Sequence, residues 1–323
     1  MIKIVDNTLT SFDGCLPSKG DLHTFCELLI SIGVDMIEMS IPVYEKMEYL
    51  PKMGRYILNI HFPDEMLLYP GFYRYTCRQD DNVDGIIHEI QLNDTREIVK
   101  LRAQTRGREY RIIGLDDLLC TTFDKTMSEM NKNLANSKIN FCPENSYGCA
   151  SALAVQWLLN FGDDVTTSFA GVKNNAATEE VIMALRLQIR HKINRDLSKL
   201  PEITKIYEKI TGTTIGNKKP IIGKNIFKVE AGIHADGLKK NPATYEAFEP
   251  SLVGCKSEIV IGKHSGTKSI KLKLEEMDFP IPNDEIIEKI LNEVKRICTE
   301  NRKSLRDDEF IGLVTEVIEI EGV

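Results

Sequence analysis

Eight short runs of apolar and β-branched residues recur between residues 4 and 169: Ile4–Leu9, Met36–Pro42, Tyr56–Ile60, Phe72–Cys77, Ile86–Leu92, Tyr110–Leu115, Ile139–Cys142 and Val165–Phe169. Most are separated by segments with helical spacing of apolar residues, the clearest being Leu22–Ile32, Thr95–Arg106, Ala150–Asn160 and Glu179–Ile193. Strands that are apolar throughout, rather than alternating, belong to a parallel sheet covered by helices, and eight of them point to closure into a barrel. The expected fold class is therefore α/β: a (β/α)8 TIM barrel followed by small α/β subdomains. Two connections, Ile60–Phe72 and Cys77–Ile86, are too short or too rich in Pro, Gly and Asp for full helices. The barrel is thus expected to be partly degenerate, trimmed in its middle.

The expected boundaries place this barrel at residues 1–195 and a polar helical connector at 196–218. A small subdomain at 219–275 and a C-terminal helical subdomain at 276–323 follow, the latter with a helix from Asn283, a suitable cap, to about Asn301. The region after Lys219 reads as having too few apolar residues for a core of its own, so it should dock on another subunit and make the protein an oligomer.

With 48 acidic and 41 basic residues, a net charge of -7, the sequence offers no basic stripe for nucleic acid and no polybasic anchor for lipid. No apolar stretch approaches membrane-spanning length, and Met1–Asp6 leads directly into a strand-like run. A cytoplasmic location is expected. Eight cysteines (15, 26, 77, 120, 142, 149, 255 and 298) are scattered without a C-x-x-C pair, which favours free thiols. The one tryptophan, Trp157, sits among Leu153, Leu158 and Phe161 and reads as packing.

The chemistry-bearing stretch is Gly232-Ile233-His234-Ala235-Asp236-Gly237, followed by Asn241-Pro242-Ala243-Thr244-Tyr245. A histidine poised near neutral pH can take a proton and return it, and a nearby tyrosine hydroxyl can orient it or donate. His234 alone would read as a loop or capping residue; Tyr245, eleven positions on, makes the pair a catalytic candidate. A third motif, Gly262-Lys263-His264-Ser265-Gly266, reads as a turn whose His264 supports the subdomain. His23, His61, His88 and His191 have no partner context that raises them above packing or surface residues.

These three ordered motifs, with Asp6-Asn7-Thr8-Leu9, Ser151–Asn160 and Ala176–Arg186, resemble the homocitrate synthase and 2-isopropylmalate synthase family, most of all homocitrate synthases of the nitrogen-fixation type. The resemblance implies an acyltransferase that condenses acetyl-CoA with a 2-oxo acid, using a divalent metal (Mg, Mn or Zn). It also implies that post-barrel subdomains swap onto a partner subunit, bringing the residues matching His234 and Tyr245 to its barrel. The family's metal ligands are a strand-one Asp, two His two positions apart on strand seven, and an Asn after strand eight. At the matching positions stand Thr10-Ser11 in place of the Arg-Asp pair, Cys142 and Glu144 in place of the histidines, and Gly171-Val172-Lys173-Asn174-Asn175 in place of a loop with a Glu-Arg pair. Only Asn175 matches a ligand type, while Asp13 would serve only if its loop rearranged.

The reading that accommodates a retained dyad and a lost metal site is an omega-type subunit of a split homocitrate synthase, with an alpha-type subunit providing the metal-bearing barrel. His234 and Tyr245 then act in trans on acetyl-CoA and 2-oxoglutarate. Two rivals are a self-sufficient condensing enzyme with a metal site rebuilt from Asp13, Cys142, Glu144 and Asn175, and a non-catalytic scaffold or regulator that pairs with an active relative.

Overall fold

The computed structural model describes all residues except 16, 80–82, 105–106, 117–121 and 322–323. The chain divides into two compact units, Met1–Gly223 and Lys224–Val323.

The first unit is a closed barrel of eight parallel strands in sequence order. These are β1 (Lys3–Asp6), β2 (Met36–Ser40), β3 (Arg55–Asn59), β4 (Arg74–Cys77), β5 (Ile86–Leu92), β6 (Glu109–Gly114), β7 (Lys138–Pro143) and β8 (Asp164–Thr167). Four registered pairs, Lys3 with Asp164 through Asp6 with Thr167, close β1 on β8. All eight strands lie where the apolar runs place them. The first stops at Asp6 instead of Leu9, because Asp6 Oδ1 accepts the Thr8 amide and the hydroxyls of Thr10 and Ser11 turn back onto the carbonyls of Asn7 and Thr8. Those local bonds compete with the ladder and wind Thr8–Ser11 into a 3-10 turn.

The outer ring is uneven. Full helices are α1 (Lys19–Ile32), α4 (Phe123–Asn133), α5 (Ala150–Asn160) and α6 (Thr178–Ile189), whereas α2 (Ile41–Met47) is short and α3 (Glu65–Leu68) is a single turn. Thr95–Ala103 is 3-10 rather than α-helical. Helix α1 shows why the better ones form: Ser18 accepts the Asp21 amide at its start, and Gly33, at φ 116°, supplies the left-handed end. Trp157 of α5 is fully buried and donates its indole N–H to the Asp164 carbonyl at 2.9 Å, so it is packing with its polar edge satisfied.

The segment expected as a connector is part of this unit. Helix α7 (Leu200–Thr211), with Pro201 in its first turn, buries Leu200, Ile203, Tyr207 and Ile210 and packs beside α1. Tyr207 lies 5.6 Å from Phe169 and 6.3 Å from Phe12, and Phe25 of α1 contacts both phenylalanines. This aromatic cluster fixes from behind the turn after β1 and the loop after β8. The polar residues of 196–218 face solvent while one helical stripe is buried, which is why the segment reads as a connector in sequence.

The second unit pairs β9 (Lys228–Val229) with β10 (Glu258–Ile259) in parallel and adds α8 (Gly232–Lys240), α9 (Thr267–Glu276), α10 (Asp284–Asn301) and α11 (Asp307–Glu321). Asn283 caps α10 by accepting the Ile286 amide at 3.0 Å. Contrary to expectation, this unit has its own core: Ile261, Ile270, Leu274, Ile286, Ile287, Ile290, Leu291, Val294, Cys298, Leu305, Phe310, Leu313 and Val314 form one buried cluster. It spans the expected boundary at 275, so the segments on either side of that boundary, from Ile261 to Val314, share a single interior. Among the described residues no helix is long and apolar enough to cross a membrane.

Candidate functional site

Two places collect chemically competent side chains, one in each unit. In the barrel, side-chain alternation puts every second strand residue inside. Val5, Met36, Ile57 and Ile87 form a small apolar cluster. Two residues further along β2 and β5 the same face carries Glu38 and Glu89, so the layer above that cluster is charged.

Arg111 of β6, 1% exposed, centres this layer. Its Nη1 lies 2.9 Å from Glu89 Oε1 and 2.6 Å from Glu38 Oε2, the latter a contact of charge rather than of hydrogen-bond geometry. Its Nε donates to Asn140 Oδ1, which also accepts from the Thr166 hydroxyl. Thr76 donates to Glu38 Oε1 at 2.7 Å and accepts from Asn59. The network thus joins residues of seven strands, β2 to β8. Burial pulls the guanidinium pKa down, but the Glu38 and Glu89 carboxylates outweigh it and hold Arg111 firmly charged. Sequence reasoning missed Arg111, Glu38 and Glu89. The available signal was a charged residue inside each of three otherwise apolar runs.

Above this layer opens a cleft of about 370 Å³, lined among others by Asn7, Arg111, Cys142, Glu144, Lys173 and Asn175. Three of the four expected weak metal candidates line it, and Asp13 does not. Asp13 is exposed and instead accepts a hydrogen bond from Ser40. Cys142 is buried, and burial pushes its thiol up to about 12, so in the metal-free barrel it is a neutral thiol. Asn175 donates to Asn7 Oδ1 at 3.2 Å, and Glu144 is tied to Asn175 by a backbone bridge. Glu38 and Glu89 are committed to Arg111, and a dication beside that guanidinium would meet a fixed positive charge. No group of three or more His, Cys, Asp or Glu among the described residues is arranged to hold a metal. The residues present do not fit the divalent ion that the resemblance implies for such a barrel.

One cation enters the mouth where the resemblance puts the missing arginine. Lys173 Nζ donates to Thr10 Oγ1 at 2.8 Å. Its loop is held in an unusual path: Ala170, Lys173 and Asn174 all have φ near 60°. Buried Glu179 accepts the Ala170 amide at 3.0 Å, and burial raises its carboxyl to about 7 against the opposing pull of Lys219. Asp6, below the same loop, is raised to about 6 by burial, with hydrogen bonds from Thr178 and Thr8 partly offsetting this.

In the second unit, α8 presents His234 and the following turn presents Tyr245. Their rings lie 5.5 Å apart at 53°. Both are exposed, Tyr245 at 45%. Gly237 makes the approach feasible, since a Cβ there would fall 2.1 Å from the Tyr245 ring. Asp236 anchors the helix through ion pairs with Lys240 at 2.9 Å and, on α9, Lys268 at 2.7 Å. His264 is exposed too; its backbone N–H donates to Glu230 Oε1 at 2.7 Å, and Ser265 and Ser269 donate to the Glu230 carbonyl. The Gly262–Gly266 turn therefore braces the residue two positions before α8. The structure brings His234 and Tyr245 together and leaves the His264 ring outside that pair.

Comparison with known proteins bears on both units. Residues 221–302 match the homocitrate synthase post-HMGL domain-like family. Over 93% of its length the chain is 29% identical to the homocitrate synthase omega subunit of Clostridium pasteurianum, covering 90% of that protein. It is also 36% identical to homocitrate synthase AksA of Methanothermobacter thermautotrophicus and 34% identical to 2-isopropylmalate synthase 2 of Caldanaerobacter subterraneus, over 54% and 58% of its length. It spans about half of each of those two relatives, 44% and 49%. These matches are to homocitrate synthases and 2-isopropylmalate synthases, the family its motifs resemble. Among solved structures, hydroxymethylglutaryl-CoA lyase from Pseudomonas aeruginosa superposes with a TM-score of 0.52 at 14% identity, over 66% of this chain and 94% of that one, which speaks to the barrel fold alone.

Proposed function

We propose that the chain is a subunit of a homocitrate synthase-like acyltransferase, condensing acetyl-CoA with 2-oxoglutarate and water to give homocitrate and CoA. On this reading His234 and Tyr245 work on a partner's barrel. The observation that carries it is the pairing of His234 with Tyr245 on an exposed face in a chain whose own barrel mouth lacks a ligand set among the described residues. The omega designation of the Clostridium relative agrees with an alpha-type partner.

His234 takes the proton that must leave the acetyl-CoA methyl group before carbon–carbon bond formation. Tyr245 holds the imidazole and offers its hydroxyl proton toward the developing alkoxide. Gly237 and the Asp236 ion pairs set the distance between them. The divalent metal, Mg, Mn or Zn, belongs on this reading to the partner barrel.

Mixing the chain with an alpha-type subunit and following CoA release tests the reading. His234→Ala should lower turnover by about 100-fold and Tyr245→Phe by about tenfold or more, with assembly and metal content unchanged. Thr10→Ala and Glu144→Ala should leave it within about twofold. Full turnover by the isolated chain with added metal, abolished by Glu144→Ala, would favour the rebuilt-site rival. A mixed complex indifferent to His234→Ala would favour the scaffold.

A further inference from the structure

Two irregular segments of the first unit meet at the start of α6. One is the loop after β8, where Ala170, at φ 58°, donates its amide N–H to Glu179 Oε2 at 3.0 Å. The other is the stretch 216–223, the last of this unit before the second begins at Lys224. That stretch is wound tightly. The Lys219 N–H donates to the Gly216 carbonyl at 2.9 Å and the Gly223 N–H to the Lys219 carbonyl at 2.8 Å. Ile221 is held at φ 67°, and a Cβ on Gly223 would fall 2.6 Å from the Asn217 and Lys219 carbonyl oxygens. A turn this strained needs an anchor outside itself, and the Lys219 ammonium provides one. It donates to Glu180 Oε1 at 2.5 Å and lies 3.9 Å from Glu179 Oε1. Glu180 is fixed in turn, because its Oε2 accepts the Ser151 hydroxyl at 2.6 Å.

Glu179 is 1% exposed, and its Oε1 is buried without a hydrogen-bond partner among the described residues. A buried carboxylate oxygen without a donor is costly, so the nearby ammonium stabilises Glu179 as well as the turn that carries it. One side chain therefore serves both segments, Oε2 for the loop after β8 and Oε1 for the stretch 216–223.

We infer that Lys219, Glu179 and Glu180 form a clasp that couples the loop at the barrel mouth to the junction leading into the second unit, so that loosening one loosens the other. On the reading that His234 and Tyr245 work on a partner's barrel, the clasp sets the reach of the unit that carries them. Opened, the eight residues 216–223 would add up to about 25 Å of extended chain to its tether.

The test uses the full chain alone, with neither partner nor acetyl-CoA, so its failure leaves the trans-acting reading untouched. Hydrogen exchange is followed by mass spectrometry at pH 8, above the Glu179 value of about 7. Lys219→Met keeps the aliphatic stem and removes the charge. It should speed exchange about tenfold in peptides covering 216–223 and about threefold in those covering 169–176, with α5 unchanged. Lys219→Arg should hold both within about twofold of the original chain. Glu180→Gln leaves the buried carboxylate in place and should loosen both segments in the same direction, which keeps the test open if Lys219→Met does not fold. Exchange that rises in 216–223 alone, rises equally in α5, or changes nowhere would overturn the proposal, as would Lys219→Arg behaving like Lys219→Met.

Discussion

The barrel mouth and the α8 surface hold their polar groups in opposite ways. In the mouth, Arg111, Glu38, Thr76, Asn140 and Thr166 are buried, Glu89 is half-buried, and all six are bonded mainly to one another. On α8 and the turn after it, His234 and Tyr245 are exposed and their rings lie 5.5 Å apart. Groups locked into a network cannot change partners during a reaction without breaking it. An exposed pair, poised by a glycine and an ion-paired helix, can engage a molecule that arrives. The chain thus combines a committed interior with an uncommitted surface, and the chemistry is assigned to the latter.

The largest effect that separates the two regions is on stability. Arg111→Met leaves buried Glu38 without its cation, with Glu89 keeping only its 3.8 Å contact to Arg78, and should cost about 3–5 kcal/mol, whereas His234→Ala should stay within about 0.5 kcal/mol. Urea unfolding monitored by Trp157 fluorescence, which reports on the barrel, reads the first. A mild Arg111→Met would mean that the network is not the lock described above.

A smaller effect sets the pH dependence of the barrel unit. Glu179 and Asp6 have pKa values of about 7 and 6 in the fold, raised from 4.5 and 3.8 by burial. The folded state therefore binds protons more tightly than the unfolded chain. Their contribution is full below about pH 4, where both groups are protonated in either state, and is lost as pH rises through 6 to 7. A tenfold difference in proton affinity between the folded and unfolded chain is worth about 1.4 kcal/mol. Glu179→Gln keeps an acceptor for the Ala170 amide and removes the charge, so it should flatten the fall in urea midpoint between pH 5 and 8. An unchanged slope would show that Glu179 does not titrate in this range.

A small change in stability with a clear local consequence is expected of Gly237→Ala. The added methyl meets the far end of the Tyr245 ring, which can swing into solvent, so stability should shift by less than about 1 kcal/mol. The nuclear Overhauser contact between the His234 and Tyr245 rings should nonetheless disappear, and turnover of the mixed complex should fall toward that of Tyr245→Phe. A retained contact would mean that the dyad geometry is not set by this glycine.

Much of the fold was legible because barrel strands carry a local signal: each is a short apolar run, and all eight are where those runs lie. The Asn283 cap and α10 were legible for the same reason. The core of the second unit was not, since Ile261, Ile270, Ile290 and Phe310 come from separate segments whose stripes count as apolar only once packed. At the sites, the motif that names His234 and Tyr245 was visible in sequence, but the roles of Gly237 and Glu230 depend on contacts across turns. Lys173 was hidden by its setting: nothing in Val172-Lys173-Asn174 announces that a left-handed backbone turns its ammonium onto Thr10. The charged layer around Arg111 was masked by the same apolar runs that revealed the strands.

Closure of β1 on β8 leaves the barrel without a free strand edge, and its eight ladders are formed by backbone groups alone. The side chains at the strand ends are thereby released from any duty in holding the cylinder shut. Such a scaffold can exchange mouth residues over evolutionary time while remaining foldable, and an engineer can do the same. Residues 10, 11, 142 and 144 form a natural set for reinstalling a lost chemistry, with Arg111 as the one interior residue that must first be released from Glu38 and Glu89.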